Sequence, residues 1–445
     1  MTEPSGSISP RRRKDIIDAL RRGNVPQQGL DVLAVGLARF EAAVDEELQT
    51  VSDGGAVFKA VRGEYGSGKT FFSRWLTERA KQAGFATTEV QISETETPLH
   101  KLETVYRRIT ENLSTSTTQS GALRDIVDGW FYILDHDVQD GATQSASSEG
   151  TLDLLQRRLS DVSKEAPAFA AVLRQYRLAQ TAGNSAEAEG LLAWLGGQPH
   201  VAASVKRAAG VRGDLDHFGA LGFLQGLLTV LRDSDYAGLV VVLDEVETLQ
   251  RMRSDIREKS LNALRQLMDE MDGGRFPGLY LLITGTPAFF DGQQGVQRLP
   301  PLAQRIQTDF TTDARFDNPR ATQIRLTGFT PESLLELGSR VRDIYAAGAK
   351  DPARVRSIVD DVYLKDLAAA VSGELGGRTG IAPRLFLKKL VSDVLDRVDL
   401  FDDFNPRRDY HLTVSADELT PAEREVHARS NRTPAGTVDE IDLDL

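Results

Sequence analysis

The sequence contains no cysteine, which excludes disulfides, thiolate metal ligands and cysteine nucleophiles. It also lacks an apolar run near the roughly 20 residues that span a bilayer, and residues 1–6 have no apolar signal-peptide core. Its six histidines show no spacing typical of metal ligands. These absences predict a cytoplasmic protein without membrane contact and without thiol or histidine chemistry.

Positive charge is in the minority, because 53 Lys and Arg stand against 65 Asp and Glu, a net charge of -12. This balance argues against a surface that binds nucleic acid as a whole. The densest basic cluster lies at residues 11–14, followed by Arg21 and Arg22. No aromatic residue is interleaved with the cluster, so a solvated basic helix is favoured over a nucleic-acid contact.

One motif in the sequence is specific. Residues 63–70 read Gly-Glu-Tyr-Gly-Ser-Gly-Lys-Thr and match the phosphate-loop pattern G-x-x-x-x-G-K-[ST]. The run at 56–62 predicts a buried strand before the loop, and the pattern at 71–83 predicts a helix after it. The glycines let backbone N–H groups turn toward phosphates, and the helix N-terminus adds its positive dipole end. The alternative is a glycine-rich turn that carries Lys-Thr by chance.

This motif assigns residues to a nucleoside triphosphate and its Mg²⁺. Lys69 is expected to reach the β- and γ-phosphates, and the Thr70 hydroxyl is expected to bind Mg²⁺. The full predicted nucleotide-binding set is Gly63, Glu64, Tyr65, Gly66, Ser67, Gly68, Lys69, Thr70 and Phe71.

Strand and helix patterns alternate along the chain. Strands are predicted at 56–62, 86–92, 239–243, 279–283 and 322–326, and helices at 12–22, 33–51, 71–83, 99–113, 256–271 and 385–398. The nearly continuous apolar strands predict a doubly wound α/β fold with a five-stranded parallel sheet flanked by helices. The predicted regions are a disordered stretch at 1–10, a core at 11–327 with a helical insertion at about 99–234, a helical lid at 328–400 and a mostly disordered acidic tail at 401–445.

Asp244 and Glu245 follow the third apolar strand directly. A carboxylate at Asp244 can hold Mg²⁺ opposite Thr70, directly or through water. Glu245 is the candidate base that polarises the water attacking the γ-phosphate. The alternative is an Asp-Glu pair that merely caps the next helix, and the accompanying phosphate loop favours the catalytic interpretation.

Two further polar residues are catalytic candidates. Thr284 ends the fourth apolar strand, where a polar side chain can lie beside the attacking water; a turn-forming threonine in Thr-Gly-Thr-Pro is the alternative. Arg384 opens a helix after Gly-Ile-Ala-Pro, from which its guanidinium can reach the γ-phosphate. A surface arginine is the alternative there.

Arg305 follows the fourth strand and can act on a neighbouring molecule. In a ring or dimer, an arginine at this place can reach the γ-phosphate of an adjacent copy. Arg298 is the rival for the same role.

The four elements together resemble the AAA+ ATPases, in particular their origin-recognition-like branch. Residues 63–70, the pair Asp244-Glu245, Thr284 and Arg384 stand in the order of its Walker A, Walker B, sensor 1 and sensor 2 elements. The resemblance covers roughly residues 30–398 apart from the insertion. It implies an ATPase that uses ATP and Mg²⁺. That branch usually continues into a winged-helix domain, which is not found after the last helix here, so DNA contact is expected to be indirect or non-specific.

A narrower resemblance rests on residues 19–26 and 33–36 together with the loop at 63–70. These segments are similar to the ATP-binding D components of bacterial BREX phage-defence systems. The resemblance implies a role in anti-phage defence, a homo-oligomer, and partners among other defence proteins such as a helicase, with DNA as the setting. Because the segment before the phosphate loop lines the adenine pocket in AAA+ proteins, the broader resemblance makes residues near 23–26 candidates for contact with the adenine base.

Two functions are open at this point. In the first, ATP hydrolysis drives assembly or remodelling in a defence complex. In the second, ATP holds a binding module in a conformation that recruits a partner, with little turnover. A third and weaker hypothesis is a DNA-binding regulator that uses the basic cluster at 11–14.

Overall fold

The computed structural model describes residues 8–141, 156–374 and 382–413. Its strands are β1 (Ala56–Arg62), β2 (Ala86–Gln91), β3 (Leu239–Asp244), β4 (Leu279–Gly285) and β5 (Gln323–Arg325). The helices before β3 are α1 (Pro10–Arg21), α2 (Leu30–Leu33), α3 (Ala38–Ser52), α4 (Lys69–Gln82), α5 (Leu102–Glu111), α6 (Leu123–Gly141), α7 (Ser160–Glu165), α8 (Pro167–Thr181), α9 (Ser185–Leu195), α10 (Ala203–Ala208) and α11 (His217–Asp233).

The helices after β3 are α12 (Ser254–Asp272), α13 (Pro287–Asp291), α14 (Pro300–Ile306), α15 (Pro331–Ala346), α16 (Pro352–Ile358), α17 (Asp361–Glu374), α18 (Ala382–Lys388), α19 (Asp396–Leu400) and α20 (Pro406–Asp409). Short 3₁₀ helices lie at Val246–Arg251, Val296–Arg298 and Ala314–Phe316, and a π-helix occupies Lys389–Leu395.

The five strands form one parallel sheet in the order β2-β3-β4-β1-β5. Every residue of β3 and β4 is buried, as their apolar sequences require of strands covered on both faces. The predicted α/β class with a five-stranded parallel sheet and flanking helices is therefore confirmed. In this order β1 lies between β4 and β5, and the carboxyl ends of all five strands lie at one edge.

The sheet belongs to the first of two compact units, residues 40–62 and 76–325, which we call the sheet unit. The helices between β2 and β3 share its apolar core. Phe223 of α11 is the centre of this packing, since its ring lies 5.2 to 5.8 Å from the rings of Phe169, Trp194 and Tyr106. The insertion is therefore part of the sheet unit and not a separately packed domain.

A buried ionic group fixes strand β1 inside the sheet unit. Lys59 is 1% exposed, forms an ion pair with Glu47 of α3, and donates to the carbonyl oxygens of Pro319 at 3.0 Å and Ala321 at 2.8 Å. The Tyr280 hydroxyl of β4 donates to the other Glu47 oxygen at 2.6 Å. A buried charge is tolerated only when it is paired in this way.

The second compact unit, which we call the helical unit, contains the described parts of residues 8–39, 63–75 and 326–413. Its apolar core joins α1, α15, α17, α18 and the π-helix. The basic residues of α1 have partners within this unit: Arg12 forms an ion pair with Asp31, and Arg21 donates to Asp396 at 2.7 Å. Arg11 and Lys14 of the same helix are exposed.

The structure differs from the sequence predictions in several places. The helix predicted at 33–51 is divided into α2 and α3, because Gly36 between them has a φ of +74°. Helix α6 lies within the predicted helical insertion, although its bounds were not among the predicted helices. Pro406 is buried, so part of the predicted disordered tail packs in the helical unit. Residues 1–7, Gly380, Ile381 and 414–445 lie outside the described residues.

Candidate nucleotide site

The phosphate loop occupies residues 63–68, between the last residue of β1 and the first of α4. Gly66 and Gly68 have φ values of +78° and +93°, which residues with a side chain adopt only with strain. A Cβ on Gly63 would lie 2.2 Å from the Ser67 Oγ. The loop therefore requires glycine at Gly63 for space and at Gly66 and Gly68 for conformation.

Lys69 is folded back over the loop that precedes it. Its Nζ donates to the carbonyl oxygens of Gly63 at 2.8 Å and Glu64 at 3.2 Å. The same Nζ lies 5.3 Å from the centre of the Tyr65 ring, and the Tyr65 side chain is 43% exposed. The loop thus holds a mostly buried ammonium group against its own carbonyl oxygens.

Ser67 supplies an observation that bears on a bound anion. Its Oγ is buried and has no hydrogen-bond partner among the described residues. A buried hydroxyl without a partner costs free energy, and a phosphate oxygen would accept its hydrogen bond. The glycine spacing, Lys69 and this hydroxyl together fit a phosphate group.

The carboxyl end of β3 carries Asp244, which is 7% exposed. The Thr284 hydroxyl of β4 donates to Asp244 Oδ1, and the Glu245 N–H donates to the same oxygen at 3.1 Å. Thr284 is fully buried and lies inside β4, so a turn-forming role does not describe it. Its hydroxyl also lies 3.4 Å from the Glu245 nitrogen, which makes Thr284 a support for both acidic residues.

Glu245 is exposed and adopts the left-handed conformation, with φ +60° and ψ +40°. Backbone strain of this kind in a residue with a side chain is concentrated at functional sites. Gln91, the last residue of β2, donates its amide to Glu245 Oε2 at 2.8 Å. Gln91 was missed in the sequence, because only the pairing of β2 with β3 places it opposite Asp244.

The helical unit brings Arg384 next to the segment predicted to contact the base. A Cβ on Gly23, whose φ is +72°, would lie 3.3 Å from Arg384 Nη1 and 3.5 Å from Lys388 Cδ. Arg74 of α4 donates to the Val25 carbonyl oxygen at 2.7 Å. The loop at 23–26 is therefore held by α4 and α18, two helices that carry nucleotide-site residues of the predicted set.

A model of the family described as BREX system ATP-binding protein BrxC/D matches residues 8–414. The chain belongs to this family. No curated protein matches the sequence. A solved structure, that of the Aeropyrum pernix ORC2 protein in its ADPNP-ADP complexes, matches with 13% identity and a TM-score of 0.33. That match covers 79% of this chain and 66% of the length of the ORC2 chain.

Arg305 and Arg298, the two arginines predicted to reach the nucleotide of an adjacent copy, have different surroundings in this BrxC/D-family chain. Arg305 of α14 forms ion pairs with Asp269 at 2.5 Å and Asp272 at 2.7 Å, both on α12. Arg298 is exposed and donates to the Ser254 hydroxyl at 3.2 Å. Both arginines are exposed, and Arg305 is engaged in ion pairs within its own chain.

Across residues 8–141, 156–374 and 382–413, none of the helices has the length and apolarity to cross a membrane. Within the same ranges there is no group of three or more His, Asp or Glu side chains that could hold a metal ion.

Proposed function

We propose that this BREX-family protein binds and hydrolyses ATP in the presence of Mg²⁺. The observation that carries the proposal is the phosphate loop, in which the unpartnered Ser67 hydroxyl and the Lys69 ammonium group fit a phosphate. The second support is the arrangement of Asp244, Glu245 and Thr284 at the ends of two neighbouring parallel strands.

Binding of the triphosphate is assigned to the loop and to the start of α4. Lys69 exchanges its bonds to the loop carbonyl oxygens for bonds to the β- and γ-phosphates. Thr70 and Asp244 supply a hydroxyl and a carboxylate oxygen, ligands of the kind that Mg²⁺ prefers. When bound, Mg²⁺ supplies positive charge that offsets the charge of the phosphates.

Hydrolysis is assigned to Glu245 as general base. Its carboxylate accepts a proton from water as the water oxygen attacks the γ-phosphorus, and the bond to the bridging oxygen breaks with ADP as leaving group. Thr284 keeps Asp244 and the Glu245 backbone in place through its hydroxyl. Gln91 holds one oxygen of Glu245 and so controls which way the carboxylate faces.

Recognition of the nucleotide base is assigned to residues 23–26. Gly23 lies next to Arg384 of α18, and Arg74 of α4 donates to the Val25 carbonyl oxygen. Both observations support this assignment, because they connect residues 23–26 to helices that carry predicted nucleotide-site residues. Arg384, which lies next to this segment, is assigned to contact with the γ-phosphate.

The proposed setting is a BREX defence complex, in which the ATP cycle drives assembly or remodelling on DNA. The partners in this proposal are further copies of the chain and other defence proteins such as a helicase, with DNA contacted indirectly or without sequence preference. Arg298 or Arg305 acts on the nucleotide of an adjacent copy, and the ion pairs that hold Arg305 within its own chain favour Arg298.

A second candidate function is a nucleotide-gated adaptor with little intrinsic turnover, which recruits a helicase or another defence partner. One observation favours it: the carboxylate of Glu245 is bound to Gln91 in a strained backbone conformation. In that function the hydrogen bond from Gln91 keeps the Glu245 carboxylate from the attacking water until a partner breaks it.

Equilibrium ATP binding tests the proposal at its first step. Isothermal titration calorimetry with Mg²⁺ is expected to show binding by the wild type and at least about tenfold weaker binding by Lys69→Ala, because charge-assisted bonds to phosphate are lost. Lys365→Ala removes an exposed lysine of α17 and serves as the control for charge. Equal affinity of the wild type and Lys69→Ala would contradict the assignment.

A further inference from the structure

Two arginines lie side by side at the carboxyl edge of the sheet. Arg62 ends β1 and Arg325 ends β5, and the two are register partners in the parallel pair. Like charges in direct opposition destabilise a sheet unless other groups neutralise them. Each arginine has its own carboxylate: Arg62 pairs with Asp291 of α13, and Arg325 pairs with Asp317.

The two guanidinium groups share one aromatic ring. The Arg62 Cζ lies 4.9 Å and the Arg325 Cζ 5.1 Å from the centre of the Phe310 ring. Arg62 Nη1 also donates to Asp291 Oδ1 at 3.1 Å and to the Gln323 side-chain oxygen at 3.3 Å. The Arg62 side chain is only 11% exposed and is held by the Phe310 ring, by Asp291 of α13 and by Gln323 of β5.

The position of Arg62 in the chain joins this contact covalently to the phosphate loop. Residue Gly63 follows Arg62 directly and begins the phosphate loop. Gly63 has no space for a side chain, and its carbonyl oxygen accepts a hydrogen bond from Lys69. A shift of the Arg62 backbone is therefore passed to the carbonyl that orients the phosphate-binding ammonium group.

We propose that Arg62 is a positioning residue for the phosphate loop, held in place by the ring of Phe310 and the carboxylate of Asp291. The inference rests on the proposed binding of ATP. Phe310 belongs to the segment between α14 and β5, so that segment sets the nucleotide affinity through Arg62. Arg325 stacks on the same ring and is followed by Leu326, whose carbonyl oxygen lies 3.3 Å from where a Cβ on Gly63 would stand. Arg325 therefore reaches the loop only through packing, whereas Arg62 is joined to it by the peptide bond to Gly63.

The matched pair Arg62→Lys and Arg325→Lys tests the inference. Lysine keeps the positive charge and loses the planar, bidentate and stacking contacts. Because small misplacements of a binding group cost up to about a hundredfold, Arg62→Lys is expected to raise the KM and the Kd for ATP at least about tenfold. Its kcat at saturating ATP stays within about twofold of the wild type, since the reacting groups are not altered.

Arg325→Lys controls for the fold. It is expected to lower the Tm by as much as Arg62→Lys does and to raise the Kd for ATP clearly less than Arg62→Lys does. Phe310→Leu removes the ring and is expected to weaken ATP binding like Arg62→Lys, and Phe310→Tyr, which keeps the ring, is expected to behave as the wild type. All four variants are measured as the full chain with ATP and Mg²⁺.

Two outcomes would overturn the inference. In one, Arg62→Lys binds ATP as tightly as the wild type. In the other, Arg325→Lys weakens ATP binding as much as Arg62→Lys, which would assign the whole effect to general stability. Either outcome leaves the proposed function intact if Lys69→Ala binds ATP at least about tenfold more weakly than the wild type, so the two failures are distinguishable.

Discussion

The side-chain amide of Gln91 donates a hydrogen bond of 2.8 Å to the carboxylate of Glu245, whose backbone is held in the left-handed conformation. Both residues stand at the carboxyl ends of paired strands, since Gln91 is the register partner of Asp244. The amide therefore determines the direction of the proposed catalytic base, although it supplies no chemistry of its own.

Replacing Gln91 by Leu removes this donor at nearly constant volume. We expect ATP turnover to fall about tenfold with the Kd for ATP unchanged, because the base loses its orientation and the phosphate loop is not altered. Steady-state kinetics and calorimetry on the same preparation give the two values. Gln198→Leu is the control, since Gln198 makes a similar bond of 2.7 Å to Glu111 within the insertion. If Gln91→Leu turns over faster than the wild type, Gln91 restrains the base, as the adaptor function requires.

Thr284 and Thr286, the two threonines of the segment Thr-Gly-Thr-Pro, can be compared by the same substitution. Thr284→Val removes a buried hydroxyl bonded to the Asp244 carboxylate, a loss of about 1.5–3 kcal/mol for a hydrogen bond to a charged group. Thr286→Val changes a buried threonine whose side chain makes no capping hydrogen bond. We expect only Thr284→Val to lower both turnover and Tm markedly, as measured by kinetics and thermal denaturation. Similar losses in both variants would assign Thr284 to packing alone.

Glycines with left-handed backbones test the proposed base-binding segment. Gly23→Ala and Gly36→Ala both place a side chain at a φ above +70°, at a cost of about 1–2 kcal/mol each. Only the new Cβ at Gly23 meets Arg384, since the space around Gly36 is open to 4 Å. We therefore expect similar falls in Tm and weaker ATP binding in Gly23→Ala alone. Equal ATP affinity in the two variants would contradict the assignment of residues 23–26 to the nucleotide base.

Arg305 and Arg298, the two arginines proposed to act on an adjacent copy, are expected to contribute differently to stability and turnover. Arg305→Ala breaks ion pairs to Asp269 and Asp272, and because these are partly exposed the expected loss of stability is only about 1 kcal/mol. Arg298→Ala is expected to leave the Tm unchanged and to lower turnover more than tenfold at high protein concentration. Turnover measured against protein concentration separates these effects. If both variants keep the concentration dependence of the wild type, neither arginine acts in trans.

The sequence was sufficient to predict the sheet, the phosphate loop and the Asp244-Glu245 pair that follows an apolar strand, because these patterns are local signals. The loop glycines, for example, are required by backbone angles that the spacing already implies. Gln91 and Arg62 were not predictable, since their roles depend on which strands are neighbours in the sheet. The contact of Gly23 with Arg384 joins segments at opposite ends of the chain, and no local pattern reports it.

Arg305 illustrates a different limit. Its place after the fourth strand fits a residue that reaches an adjacent molecule, and that place is all the sequence provides. The structure adds two aspartates on α12 that already hold the guanidinium group. Spacing along the chain cannot distinguish an arginine engaged in its own subunit from one presented to a partner, because ion pairs form across elements distant in sequence.

The most direct test of the central claim is Mg²⁺-dependent ATP turnover by the wild type and by Glu245→Gln, with ATP binding measured on the same samples. Glutamine keeps the shape of the side chain and cannot accept the proton from water. The account predicts turnover by the wild type, and binding without turnover by Glu245→Gln. Turnover by Glu245→Gln at the wild-type rate would contradict the assignment of Glu245 as the base. Tight binding without turnover by the wild type, with and without DNA, would contradict the ATPase and leave the adaptor function.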